Sequence, residues 1–160
     1  MIVDLGDGAA VALSVATWVA VSFAVGWWAT RWPDDRLVTE GPFTRLRGWE
    51  AGGAFWQRRL RVQRWKDRLP EAGAFFGGAA KRRLPSRSDE GLEAFRRETV
   101  RAERVHWLIL ATTPVHLLWC RPTVFAGMVL YGVVFNVPFI VVQRANRGRL
   151  DRILSRRRRR

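Results

Sequence analysis

Hydrophobic positions in this chain are gathered into long blocks at its two ends, and a strongly basic stretch separates them. The first block, residues 8–30, runs GAAVALSVATWVAVSFAVGWWAT without a charge. A helix needs roughly 20 apolar residues to cross the hydrocarbon of a bilayer, so the block predicts a membrane span. A cleaved signal peptide fits less well, because Asp4 and Asp7 stand where basic residues belong and no A-x-A site follows. A retained anchor is expected, with Trp27, Trp28 and Trp32 as an interfacial belt beside Arg31.

In residues 31–104, Pro33, Gly41, Pro42, Gly48, Gly52 and Gly53 break the first part into turns. The run AFWQRRLRVQRWKDRLPE then reads as one helix ending at Pro70. Phe55, Val62, Trp65 and Leu69 share one face; Arg61, Arg64 and Arg68 share another. Two readings stay open: a helix lying in the bilayer interface, or an ordinary amphipathic helix packed on its neighbours. Residues 71–87 are a Gly/Ala-rich connection with a Lys81-Arg82-Arg83 cluster, expected as a mobile loop. Their GG pair lacks the G-K-[ST] ending and the preceding strand of a phosphate loop.

Ser88 and Asp89 can cap the next helix, whose stripe Leu92, Phe95, Thr99 and Ala102 leads into the apolar residues 105–119. At ~1.5 Å per residue that block covers about 24 Å of a ~30 Å core, and Pro114 is expected to kink it. A crossing is preferred to a re-entrant dip, which would leave Arg121 without outer water. Arg121-Pro122 makes a turn, and residues 123–142 form the second member of a hairpin. The pattern predicts an all-α, small integral membrane bundle with three transmembrane helices, in one domain over residues 1–150. Its spans are 8–30, 105–120 and 123–142, its cytoplasmic loop is 31–104 with an amphipathic helical segment, and residues 151–160 are a basic tail. The final arginines are expected as a disordered patch drawn to anionic lipid, at ~1 kcal/mol per residue near the surface.

Charge sets the orientation. The chain has 28 Lys+Arg against 14 Asp+Glu, a net charge of +14, which suits nucleic acid or an anionic membrane. Every positive residue except Arg121 lies in the middle segment or the tail, so both are expected in the cytoplasm of a multi-pass cell-membrane protein, with the N-terminus outside. Cys120 is the single cysteine, which excludes a disulfide framework and a Cys-based metal cluster. It is expected as a packed neutral thiol.

The candidate chemistry is concentrated in RRETVRAERVHW, residues 96–107. Thr99, Glu103 and His106 fall at i, i+4 and i+7 on one helical face, with Glu98 and Arg101 beside it and able to pair. A carboxylate one turn below a histidine holds the imidazole in one tautomer and stabilises its protonated form, as a general base needs. Polar groups at membrane depth are costly, so Asn136 and His116 need partners. Asn136 is expected to bond a carbonyl that Pro138 leaves free, and His116 a backbone carbonyl. At the exit of the last span, Gln143 and Asn146 are interleaved with Arg144, Arg147 and Arg149, a pattern suited to a polar headgroup or sugar.

Three blocks in this order, FWQRRLRVQRWKDRLPE, RRETVRAERVHW and NVPFIVVQRANRGRL, with an anchor helix before them, resemble the glycosyl-4,4'-diaponeurosporenoate acyltransferases. These are small bacterial membrane enzymes of staphyloxanthin-type carotenoid synthesis. The matching positions are Trp65 and Lys66, then Glu98, Thr99, Arg101, Ala102, Glu103, His106 and Trp107, and finally Asn136, Val137, Pro138, Gln143, Arg144, Asn146 and Arg147. The resemblance implies transfer of a fatty acyl group to the C6 hydroxyl of the sugar on a glycosylated C30 carotenoid or similar glycolipid. The partners it implies are an acyl donor (acyl-CoA or similar), that acceptor and membrane lipid, with no cofactor, no metal and no nucleic acid. His106 oriented by Glu103 would take the hydroxyl proton, while Arg101, Arg144 or Arg147 would stabilise the oxyanion or bind donor phosphates. Trp65, Lys66, Glu98, Asn136, Gln143 and Asn146, with those arginines, would bind substrate.

There is no G-x-S-x-G elbow and no H-x4-D acyltransferase motif. Two rival readings are a di-iron site, for which the one Glu103-x-x-His106 motif falls short of the two required, and a non-enzymatic membrane anchor recruiting a partner or nucleic acid through its basic segment.

Overall fold

The computed structural model describes residues 2, 3, 5–69 and 88–160, and the regular structure among them is helical. Three long helices, α1 (Asp7–Ala29), α4 (Asp89–Ala111) and α5 (Pro122–Arg157), form the bundle, with the short α2 (Asp34–Val38) and α3 (Ala54–Leu60) between them. The cap predicted for α4 is present: Ser88 Oγ accepts from the Gly91 N–H at 3.2 Å. Pro122 opens α5, where a missing N–H costs nothing.

Helices α4 and α5 run antiparallel. Moving outward along the pair, His106 meets Asn136, Glu103 meets Arg144, Arg96 meets Asp151 and Asp89 meets Arg157. Helix α1 runs alongside α5, with Asp7 near Arg121, Trp18 stacked on Tyr131, and the following carbonyl of Trp32 reaching Arg101. The start of α1 and the Arg121 turn therefore share one end of the bundle. The basic segments share the other.

Burial is inverted between the two ends. Near Arg121, apolar side chains face outward: Val11, Leu13, Val15, Val19 and Phe23 on α1, and Leu130, Val133, Val134 and Phe135 on α5. At the basic end Glu50, Glu103 and Arg147 are fully buried. Both α1 and α5 are long and apolar enough to cross a membrane, and only 17% and 28% of their apolar windows are buried within the protein. A soluble fold hides such surface, so this pattern fits association with a membrane.

Several expectations need correction. The helix expected from residue 54 to Pro70 stops at Leu60, because Arg61 takes a left-handed φ of 48°. The chain continues as two 3₁₀ turns, Val62–Arg64 and Lys66–Arg68, and Trp65 Nε1 folds back to donate to the Leu60 carbonyl at 2.8 Å. Pro114 ends α4 instead of kinking it: the helix closes at Ala111 and a 3₁₀ segment, Thr113–Leu118, follows. The tail is ordered. Helix α5 continues to Arg157, held by Leu150 and Leu154 against Leu92 and Phe95, and by ion pairs of Arg157 with Asp89 and Arg158 with Glu93. The connection over residues 71–87 lies outside the described residues.

What seats the middle segment on the bundle is a close backbone approach. Gly52 and Gly53, both at positive φ, lie directly on α5, where a Cβ on Gly148 would meet the Gly52 carbonyl at 2.3 Å. Gly148→Ala is expected to push this loop off the helix and cost about 1–3 kcal/mol, read as a lower unfolding midpoint in detergent. Gly127→Ala, with open space for its Cβ, serves as the control and should gain up to ~1 kcal/mol from helix propensity.

Candidate active site

Helices α4 and α5 bring the predicted polar residues together through two linked arrangements. The first is a buried ion network. Glu103, fully buried on α4, accepts from Arg144 Nη1 at 2.6 Å and from Trp107 Nε1 at 3.2 Å, and forms an ion pair with Arg147 Nη2 at 2.6 Å. Arg144 also grips the second buried carboxylate, Glu50, through Nε at 2.9 Å and through Nη2. Its remaining N–H groups donate to the carbonyls of Phe43 and Arg45. All five donors of that guanidinium are thereby committed. Glu50 accepts in addition from the Arg47 N–H at 2.8 Å and from Trp56 Nε1 at 2.7 Å.

The electrostatics follow from these contacts. Burial alone would raise the pKa of Glu50, but hydrogen bonds from Arg144, the Arg47 backbone and Trp56 hold it below the ordinary 4.5. Burial likewise opposes charge on Arg144, yet its bonds to Glu50 and Glu103 raise its pKa. The carboxylates of Glu50 and Glu103, with Glu40 at the edge, thus face the two guanidinium groups in a largely buried region.

The second arrangement orients His106. Its Nδ1 lies 2.9 Å from Asn136 Oδ1, and its ring stacks on Phe139 with centroids 4.6 Å apart. Asn136 Nδ2 donates to the Gly132 carbonyl at 3.0 Å, which turns the amide oxygen toward the imidazole. An amide oxygen only accepts, so Nδ1 carries a proton, and in the neutral ring the lone pair falls on Nε2. That is the tautomer of a general base.

This corrects two expectations. His106 Nδ1 donates to Asn136 Oδ1 rather than to Glu103, whose oxygens face Arg144 and Arg147. Asn136 in turn bonds the Gly132 carbonyl, two residues before the Val134 carbonyl that Pro138 leaves without its usual donor. The di-iron reading meets the same fact, since two guanidinium groups sit where a cation would bind Glu103.

On α5, Asn136, Gln143 and Arg147 follow at i, i+7 and i+11, so they share one face. Gln143 is buried, and its Nε2 has no hydrogen-bond partner among the described residues; the same holds for Arg147 Nη1. Arg147 otherwise bonds the Thr44 carbonyl and stands 3.3 Å from Glu40. Asn146 is half-buried one position before it. Trp65 and Lys66 are not brought to this face. Trp65 packs with Val62 on Val141, Val142 and Ala145, roughly half a turn round α5, and Lys66 pairs with Asp67. Glu98 and Arg101 pair as predicted, but on the flank of α4 turned to α2, where Arg101 reaches Asp34.

Sequence reasoning missed Glu50, Trp56, Phe139 and Gly132. Glu50 stands in a Gly-rich turn without periodicity, so its only signal was an acidic residue in a basic stretch. His116 is fully buried between Trp18 and Trp119, and neither ring nitrogen finds a hydrogen-bond partner among the described residues, contrary to the carbonyl expected for it. Cys120 is buried, as a packed thiol should be.

Fold and site together define an all-helical, membrane-associated protein in which a buried ion network stands beside an imidazole hydrogen-bonded to a buried amide. Residues 40–156 match the family described as CrtO, glycosyl-4,4'-diaponeurosporenoate acyltransferase. A protein of that name from Staphylococcus haemolyticus (strain JCSC1435) is 32% identical over 137 residues, 85% of this chain and 80% of its own length. Another of the same name, from Staphylococcus aureus (strain MRSA252), is 29% identical over 139 residues, 86% of this chain and 83% of its own. No solved structure matches. The chain belongs to the glycosyl-4,4'-diaponeurosporenoate acyltransferase family, and its enzymatic class is acyltransferase.

Because Glu50 has a lowered pKa in the folded state, its contribution to stability is complete above about pH 4.5 and is lost as pH falls through the lower folded value. Glu50→Gln should lower the unfolding midpoint at neutral pH and flatten its decline in acid, as thermal melts from pH 7 to pH 3 would record.

Proposed function

We propose that this chain is a multi-pass membrane acyltransferase that moves a fatty acyl group onto the C6 hydroxyl of the sugar of a glycosylated C30 carotenoid or a similar glycolipid. The observation that carries this reading is the Asn136-locked tautomer of His106, with the open donors of Gln143 and Arg147 along the same face of α5. Family membership supplies the acyl transfer, and the relatives' shared name supplies the glycosylated carotenoid.

On this reading His106 Nε2 takes the proton of the sugar hydroxyl as its oxygen attacks the acyl carbonyl carbon. Negative charge gathers on the former carbonyl oxygen, and Gln143 Nε2 and Arg147 Nη1 are the groups free to meet it. When the tetrahedral intermediate collapses, the bond to the leaving group breaks and the imidazolium returns its proton there. With a thioester donor such as acyl-CoA, the products are the sugar ester and a free thiol. Glu103 acts as a positioning residue, since it holds Arg147 and Arg144 and does not touch the reacting atoms. Arg144, with every donor committed, serves the scaffold.

The placement in the membrane follows from the two ends of the bundle. The spans are residues 8–30, 105–120 and 123–142, the middle one completed by the 3₁₀ segment after α4. The positive residues of 31–69, 96–104 and 143–160 lie at one end, which supports putting that end in the cytoplasm and the Arg121 turn outside. A 36-residue α5 is about 54 Å long against a hydrocarbon core of ~30 Å, so its charged half stands in or beyond the headgroups. A lipid acceptor with a polar sugar would present that sugar at the same level.

The test is expression in a cell that makes the glycosylated carotenoid but lacks its acylation, followed by lipid mass analysis. The wild type should form the acyl ester. His106→Ala should reduce it at least a hundredfold while the protein stays in the membrane. Asn136→Ala should leave weaker activity with a shifted pH profile, because the ring loses its orientation but keeps its nitrogen. Full acylation by His106→Ala would refute the assignment.

A further inference from the structure

At the basic end of the bundle a cleft of about 580 Å³ opens between the end of α2 and the outer turns of α4 and α5. That volume lies in the range of small-molecule sites. Its walls carry four guanidinium groups, from Arg96, Arg97, Arg158 and Arg159, against the two carboxylates of Glu93 and Asp151. Arg96 is committed, to Asp151 at 2.6 Å, to Glu40 and to the Val38 carbonyl. The other three are not locked in place. Arg97 faces the exposed Asp34 at 3.2 Å, Arg158 is itself 71% exposed in its pair with Glu93, and Arg159 has no carboxylate partner among the described residues. Asp34 and Glu40 bring the neighbouring carboxylates to four as well, but guanidinium groups in partly exposed pairs, or in none, are still free to turn, which is what a phosphate requires.

Position links this cleft to the site. Asp151, Leu154 and Arg158 continue the α5 face that carries Asn136, Gln143 and Arg147. Arg158 stands eleven residues beyond Arg147, about 16 Å further from the apolar half of the helix. We infer that the cleft holds the phosphates of the acyl donor, a nucleotide-bearing thioester of the acyl-CoA class. Its pantetheine arm then reaches inward along α5 toward His106, and its acyl chain lies in the lipid. The inference rests on the acyl transfer proposed above and assigns the donor's charged end to residues outside that site. An anionic lipid headgroup offers the same phosphate chemistry, so the two sources must be separated.

The experiment uses the full chain in vesicles of neutral lipid, with a glycosyl diaponeurosporenoate acceptor and two donors: dodecanoyl-CoA, and S-dodecanoyl-pantetheine, which lacks the phosphates. The wild type should favour the CoA thioester about ten- to a hundredfold in kcat/KM. In Arg158→Gln/Arg159→Gln that preference should collapse toward one through a raised KM for dodecanoyl-CoA, and Arg158→Lys/Arg159→Lys should restore much of it. Equal use of the two donors by the wild type would overturn the inference, as would an equal loss with both donors in the Gln variant. A loss that depends on phosphatidylglycerol in the vesicles and not on the donor's phosphates would assign the cleft to lipid and overturn it too. Transfer from neither donor by the wild type would instead bring down the acyl-transfer reading, and the inference with it.

Discussion

Everything at the basic end is arranged around two guanidinium groups on α5 locked to carboxylates from α4 and from the turn at Gly48–Glu50. Removing such ions from water costs several kcal/mol each, so none of the four is tolerated alone, and stripping one partner from a buried pair typically costs about 3–5 kcal/mol. The network therefore behaves as a unit. It requires α4 and α5 to meet antiparallel in one register, and it requires residues 43–56 to fold over them, because the carbonyls of Phe43, Thr44 and Arg45 complete the arginines. The same register carries His106, three residues beyond Glu103, to Asn136, eight residues before Arg144. The ion pairs thus determine where the imidazole lies.

An interior of ions inside a coat of aliphatic side chains is coherent only if two solvents are present. Around the first halves of α1 and α5, lipid accepts the outward Val, Leu and Phe residues without cost. Around the second half of α5, water would compete for Arg144 and Arg147, and the loop carrying Glu50 and Trp56 keeps it out. The glycines let that loop lie close enough to do so. Gly53 comes so near α5 that a Cβ there would stand 2.8 Å from the Ala145 carbonyl.

What was legible in the chain was local. Uninterrupted apolar runs marked α1 and the inner half of α5, Ser88 marked the start of α4, and the spacing of Thr99, Glu103 and His106 placed all three on one stripe. The partners on that stripe were not legible, because a carboxylate four residues from an indole and facing two arginines has several ways to be satisfied. Only the α4–α5 register selects among them. The break at Arg61 was hidden for a related reason: a left-handed residue with an ordinary side chain leaves no mark in composition. The tail looked disordered as a run of arginines, yet Asp89 and Glu93 on the neighbouring helix neutralise part of it while Leu150 and Leu154 pack it.

A neutral amide behind the imidazole proposed as the base has a chemical consequence. A carboxylate in that place would stabilise the imidazolium and make Nε2 a stronger base, but it would add a further buried anion beside Glu103. Asn136 fixes the tautomer without adding charge to the ion network around Glu103. On the proposed mechanism the imidazolium meets an amide oxygen at Nδ1, and the new negative charge formed with it is the one on the reacting acyl group. That favours prompt return of the proton to the leaving group over accumulation of a charged intermediate. In a site beside lipid, where isolated charge is expensive, a base held by an amide is the arrangement that keeps each step close to neutral.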